Sequence, residues 1–259
     1  MDTRRFKFVQ IALLPAVMLV FLHTGRIFSQ DRVRVFINLD FNKVAPEKTT
    51  DYLTLEDSIW KPIQQEHIKE GGLAGWNVFR VWFSGTDSKY NYIVKELYNK
   101  YEDMAYEYGN DVIAKVHPGI DEAQLMEGTY SARSIAEAQS AVRLAMLRPA
   151  EKKEPSRFVL VNYLNIKKSN EAQFEKNILE VAMPAFQDRM NSGFNQGWDL
   201  YKVVVPGGDS VPYQYISFEY IGSMGEVVKP GGEDASKGME PGKVYRTELW
   251  ERVNYLVGD

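Results

Sequence analysis

The chain has 259 residues, 44% of them hydrophobic and 25% charged, and a formal net charge of −4. These globular proportions exclude a disordered, collagenous or coiled-coil chain. The sequence has no cysteine, which removes disulfides, thiolate nucleophiles and Cys-ligated metal centres, and an acidic chain without a Lys/Arg cluster argues against a nucleic-acid partner.

At the N-terminus, Arg4, Arg5 and Lys7 precede the apolar run Phe8–Leu22, in which Gln10 is the only strongly polar residue. A basic start followed by an apolar core of this length reads as a secretory signal peptide over residues 1–30. The run is shorter than the ~20 residues of a membrane span and is broken by Pro15, so contact with a membrane is expected only through this segment if it stays uncleaved. Ser29 places cleavage near residue 30. The segment carries +3, so the remainder is near −7. The expected location is secreted or periplasmic, in a bacterium, where a cysteine-free chain relies on its core alone.

The next feature is an internal repeat. Residues 60–81, WKPIQQEHIKEGGLAGWNVFRV, lie over residues 182–203, AMPAFQDRMNSGFNQGWDLYKV, with six of 22 positions identical, including Pro62/Pro184, Gly71/Gly193 and Trp76/Trp198. Around this block, Phe36-Ile37-Asn38-Leu39 matches Leu160-Val161-Asn162-Tyr163, and Tyr90-Asn91-Tyr92 and Glu96 match Tyr213-Gln214-Tyr215 and Glu219.

In chain order, each copy predicts a strand (33–41; 158–166), then a helix (51–70; 170–191). A proline inside each helix should kink it, and a glycine should stop it. A hairpin of two strands follows (76–83 and 90–97; 198–205 and 213–220), with Gly-x-Asp-Ser in the turn, then a short fourth strand (143–147; 246–253). Copy one inserts a Tyr-rich helical arm over about 98–141, and copy two carries a Gly/Pro-rich loop at 226–243. The expected division is a first α+β repeat at 31–148, a linker at 149–156 and a second repeat at 157–259. The order β-α-β-β-(α)-β is a ferredoxin-like split unit, so the expected class is α+β, with two such units packed as one intramolecular barrel.

The stretches WKPI…GGLAGWNVF and AMPAF…GFNQGWDLY, within paired ferredoxin-like units, resemble the dimeric α+β barrel superfamily, and most of all exported bacterial members without an assigned role. The resemblance covers residues 33–97 and 157–221. It implies a fold more than a function, since that group includes monooxygenases, isomerases, stress-responsive proteins and heme enzymes. It also implies that a single chain with two copies can close the barrel as a monomer, an internal pseudo-dimer.

Strand alternation suggests which side chains face the barrel centre. If Ile37 and Leu39 cover the helices, then Asn38 and Asn162, Arg80 and Lys202, Tyr92 and Tyr215, Glu96 and Glu219, and Arg143 and Arg246 line a central cavity. The competing reading is that these are ordinary solvent-facing strand positions. His67 beside Glu66 is the best acid–base pair in the chain, although copy two has Arg189 there. Trp76 and Trp198 read as structural. His117, in a turn before Pro118, is a remote heme ligand. There is no metal-ligating constellation, nucleophile elbow or phosphate loop, and no cofactor is expected. The leading reading is an exported module binding a small apolar or aromatic ligand or a protein partner. The alternative is a cofactor-independent monooxygenase- or isomerase-like enzyme using the central cavity. A barrel filled by side chains would remove that cavity.

Overall fold

In the computed structural model the described residues are 34–105, 110–149, 154–207, 211–227 and 239–258, with the side chains of 110 and 111 excepted. The expected signal segment, the tyrosines at 106 and 108 and most of the Gly/Pro-rich loop lie outside them. None of the helices among the described residues is long and apolar enough to cross a membrane.

Eight strands form a closed antiparallel barrel: β1 (Phe36–Lys43), β2 (Gly75–Val81), β3 (Tyr92–Tyr98), β4 (Ser134–Leu147), β5 (Phe158–Asn165), β6 (Gly197–Val205), β7 (Tyr215–Ile221) and β8 (Lys243–Val257). The order around the barrel is β1-β3-β2-β8-β5-β7-β6-β4. Each half therefore contributes a four-stranded sheet in the order fourth-first-third-second. The halves join where β2 pairs with β8 and β4 with β6. Closure leaves no unpaired edge. The fourth strands begin earlier than the sequence suggests and are much longer, because they serve two neighbours each.

A long helix follows the first strand of each half. The first is α1 (Thr49–Leu55), a π-turn (Glu56–Trp60) and α2 (Lys61–Lys69). Its counterpart is α5 (Glu171–Asn177), a π-turn (Ile178–Ala182) and α6 (Met183–Asn191). The wide turns explain how each helix tolerates its proline. Pro62 and Pro184 lack an N–H and crowd the carbonyl four residues back, at Ser58 and Glu180, and the π-turn displaces that carbonyl. Both helices end as expected. Gly71 and Gly193 take φ of +81° and +75°. Gly72 N–H donates to His67 O and Gly71 N–H to Ile68 O, and Phe194 and Gly193 repeat the pattern on Arg189 and Met190, two Schellman caps.

The arm of the first half forms α3 (Asn110–Val116) and α4 (Glu122–Ala132), the latter opened by a capping box between Asp121 and Gln124. It packs on the first long helix, where the Trp60 indole donates to Thr129 Oγ1 at 3.1 Å.

Both faces of each sheet are buried. Inside the barrel lie Ile37, Leu39, Phe41, Phe79, Ile93, Val161, Tyr163, Tyr201, Phe218 and Trp250. Trp250 stands 5.4 Å from Phe79 and 5.6 Å from Phe218, ring to ring. The centre of the barrel is thus packed with side chains, which corrects the expectation of a central cavity. Outside, Trp76 and Val78 meet Tyr52, Trp60 and Ile63, and Trp198 and Leu200 meet Phe174, Ile178 and Phe186.

Candidate functional site

The barrel-facing parity is the reverse of the expected one. Ile37 and Leu39 point inward, so Asn38, Arg80, Tyr92 and Glu96 stand on the helix-covered side, as do Asn162, Lys202, Tyr215 and Glu219. The apolar set fills the tighter barrel interior, and most of the polar set is partnered on the outer face, where Arg80 stays exposed and Asn162 and Lys202 are half-buried.

Those partners are specific. Asn162 accepts from Thr247 Oγ1 at 2.7 Å. Lys202 pairs with Glu171 at 2.9 Å and Glu175 at 3.2 Å, and Tyr215 donates to Glu175 at 3.0 Å. Glu219 receives Arg189 at 2.6 Å. Arg80 and Arg157 both pair with Glu251. Arg143 and Arg246 do sit at inward parity, but they are not equivalent. Ala141 opposes Ile37, while Glu248 opposes Val161, so Arg246 corresponds to Gln139 rather than to Arg143. They lie toward opposite ends of the barrel. Arg246 stacks 4.1 Å over Tyr163 and pairs with Glu248 at 3.3 Å.

His67 and Glu66 do not act together. Glu66 faces Lys69 at 3.0 Å and Lys115 at 2.5 Å, outward. His67 is 1% exposed and packs against Gly72, where an added Cβ would fall 2.1 Å from its Nε2.

What the structure assembles instead is an acidic cluster beneath the first long helix. Positions 52, 56, 60 and 64 of that helix are buried and follow one face at a four-residue spacing. In the second half the matching positions hold Phe174, Ile178, Ala182 and Phe186, an apolar stripe. In the first half they hold Tyr52, Glu56, Trp60 and Gln64, and Asp40 on β1 stands where the second half has Leu164. Asn38 Nδ2 reaches Asp40 Oδ1 at 3.3 Å and Glu96 Oε2 at 3.4 Å. Glu96 also accepts from Gln64 at 3.0 Å and from the Tyr98 hydroxyl at 2.8 Å. Arg133, immediately after α4, donates to Asn42 Oδ1 at 2.9 Å and lies 3.9 Å from Glu56 Oε1. The arm that only the first half possesses therefore delivers the cluster's cation.

Asp40 and Glu56 share the Arg133 guanidinium, with Glu96 beside them. Burial, reinforced by Glu96, raises the Asp40 pKa to about 6. Burial raises that of Glu56 to about 7 against the pull of Arg133. Glu56 is 2% exposed, and its Oε1 has no hydrogen-bond partner among the described residues. It forms part of the wall of an outer groove of about 670 Å³ between this helix and strands β2 and β8. Leu53, Val78 and Val253 make the groove's apolar side, and Asp57, Lys61, Asn254 and Tyr255 its polar side. Asn254 donates to Asp57 at 3.0 Å, clasping helix to strand. A carboxyl that titrates near neutrality at the edge of a groove can take or give a proton.

No protein-family model matches the chain, and no curated protein does. Solved structures do match. A provisionally named monooxygenase from Fusobacterium nucleatum aligns with a TM-score of 0.59 at 12% identity, over 88% of this chain and 96% of that one. A provisionally named monooxygenase from Lactobacillus acidophilus gives 0.54 at 10%, over 87% and 96%. A provisionally named chlorite dismutase gives 0.50 at 10%, over 85% and 95%. The chain shares the closed α+β barrel fold of these proteins. At such identities the likeness shows the fold alone.

The residues of this barrel do not fit a heme. Neither described histidine is presented to a ligand: the His117 ring is hydrogen-bonded to Ile59 O at 3.0 Å, and His67 is packed against Gly72. Among the described residues no group of three or more His, Asp or Glu side chains is placed to hold a metal ion.

Of the residues that form the cluster, Asp40, Tyr52, Glu56, Gln64, Tyr98 and Arg133 escape a reading based on what the two halves share. The signal lies where the halves differ. Asp40 against Leu164 and Glu56 against Ile178 are acid-for-aliphatic exchanges at positions that both helix and strand bury.

Proposed function

We propose that the first half of the barrel is a small-ligand site in which Glu56 exchanges a proton with a molecule held in the groove, the chemistry of a cofactor-independent monooxygenase- or isomerase-like enzyme. The observation that carries this is the Glu56 carboxyl, buried and tuned to about 7, with one oxygen making no hydrogen bond among the described residues and a groove beside it. Asp40, Glu96 and Arg133 hold its charge balance. Leu53, Val78 and Val253 take the apolar body of the ligand. Abstraction of a C–H proton next to a carbonyl or phenol is the step this arrangement serves, and the carboxyl returns the proton afterwards. The fold relatives named as monooxygenases support the class without fixing the substrate.

Three further readings belong with it. The two halves derive from a duplicated unit, supported by the repeated π-turn, proline and glycine cap at matching places. The chain works as a monomer with an internal pseudo-dimer. The protein is exported, supported by the composition of residues 1–30.

The test is exchange of enolisable C–H groups for deuterium, followed by NMR with a panel of aromatic ketones and the full chain. A saturable acceleration that falls at least ~100-fold in Glu56→Gln supports the reading. No acceleration with any member, or an acceleration unchanged in Glu56→Gln, overturns it.

A further inference from the structure

We propose that the end of the barrel carrying Lys95 binds a small oxyanion, a carboxylate or phosphate group, against Lys95, Arg143 and Arg252. The site is separate from the Glu56 groove and faces the barrel interior. Alternation along β3 turns Lys95 inward with Ile93 and Leu97. The register sets it beside Leu39 of β1 and Asn77 of β2. Arg252 of β8 is opposite Phe79, and Arg143 of β4 is opposite Tyr201 of β6. Arg148 follows β4 at the same end and reaches Asp199 of β6. Lys95 feels Asp199, Arg148, Arg252 and Arg143, and Arg148 also acts on Arg252.

Four cations gather here around a single described carboxylate. Asp199 Oδ2 is taken by Arg148 at 2.6 Å and by the Tyr220 hydroxyl at 2.7 Å. Lys95, Arg143 and Arg252 make no ion pair among the described residues, although Asp199 still pulls on Lys95 and Arg252 donates to the Ser156 carbonyl. Lys95 is 3% exposed and donates only to Tyr220 Oη, at a long 3.4 Å. Its ammonium otherwise rests on the ring of Phe218 at 4.0 Å and of Tyr201 at 4.8 Å. Asp199 Oδ1, Tyr201 Oη and Arg252 Nε are buried with no protein partner among the described residues.

A buried cation without a counter-charge is costly, so a site with this balance favours an anion. The chemistry narrows the class. Guanidinium forks match planar or tetrahedral oxygen groups, and a free tyrosine hydroxyl adds a donor for a further oxygen. Phe79, Phe218 and Trp250 occupy the barrel beyond, so the proposed ligand is a small head group rather than a large body. Burial and the neighbouring arginines lower the Lys95 pKa to about 7 against the pull of Asp199. Anion binding should therefore also take up a proton at neutral pH.

The test is calorimetric titration of the full chain with sodium phosphate and, separately, sodium acetate at constant ionic strength. Saturable binding of either, weakened tenfold or more in both Lys95→Met and Arg252→Gln and unchanged in the exposed control Lys69→Met, supports the proposal. The arm that responds names the oxyanion. If Lys95→Met fails to fold, Arg252→Gln and Arg143→Gln carry the same comparison. No saturable binding in the millimolar range, or binding indifferent to these variants, overturns it. Glu56→Gln should leave the anion isotherm unchanged, which separates this site's failure from that of the groove.

Discussion

Glu56 should make the protein less stable as the pH rises through neutrality, and Glu56→Gln should abolish much of that dependence. The ordinary glutamate value is 4.5 and the folded value about 7. Between these, the native state holds a proton that the unfolded chain has released, so stability falls with increasing pH. Below 4.5 both states are protonated and the group contributes nothing to the slope. Above about 7 the full penalty is present. The gap of roughly 2.5 pH units at 1.36 kcal/mol each amounts to about 3 kcal/mol. Gln keeps the shape but cannot ionise. Any hydrogen bond it loses costs ~1–3 kcal/mol at every pH alike, so the diagnostic is the slope and not the offset. Urea unfolding of both proteins from pH 4 to pH 8 measures it. The difference in unfolding free energy, variant minus wild type, should rise by about 2–3 kcal/mol between pH 4.5 and pH 8. A difference that stays flat, or a wild type that gains stability over this interval relative to the variant, would refute a buried, proton-holding Glu56.

Four other outcomes follow from the same structure. Arg133→Met removes the cation from Asp40 and Glu56 and should destabilise by ~3–5 kcal/mol at pH 8, and by less at pH 5, where both take up protons; denaturation at the two pH values checks this. Gly72→Ala drives a methyl into the His67 ring and should cost ~1–3 kcal/mol, a loss largely relieved in a His67→Ala background, as a double-mutant cycle would read out. Trp198→Ala deletes an indole stacked 4.5 Å from Phe186 and bonded to Ser217 at 2.8 Å, and should cost ~3–5 kcal/mol in chemical denaturation. Phe83 is 84% exposed at φ +59°, so Phe83→Gly should raise stability by up to ~1 kcal/mol; a lowered melting temperature would point to a role for that ring.

The sequence by itself determined the element order, the ends of the long helices and the barrel class. These rest on local rules: glycine's freedom at positive φ, alternation along a strand, and the spacing of an apolar stripe. The agreement between the two matching segments of sequence reinforced each of them. Alternation sorted the first three strands of each half into two sets, but it placed Arg143 and Arg246 of the fourth strands with the wrong set, and it could not say which set faces inward. That assignment needs one solvated face for reference, and a closed barrel covered by helices has none: Ile37 and Asn38 are both shielded, one by the opposite sheet and one by the helix. Lys95 and Asp199 were missed for the same reason. The acidic cluster required tertiary structure twice over. It takes Asp40 from β1, Glu56 from a helical turn, Glu96 from β3 and Arg133 from beyond the arm. Only the folding of α4 back on α1 decides that a guanidinium separated from Glu56 by more than seventy residues in the chain becomes its neighbour.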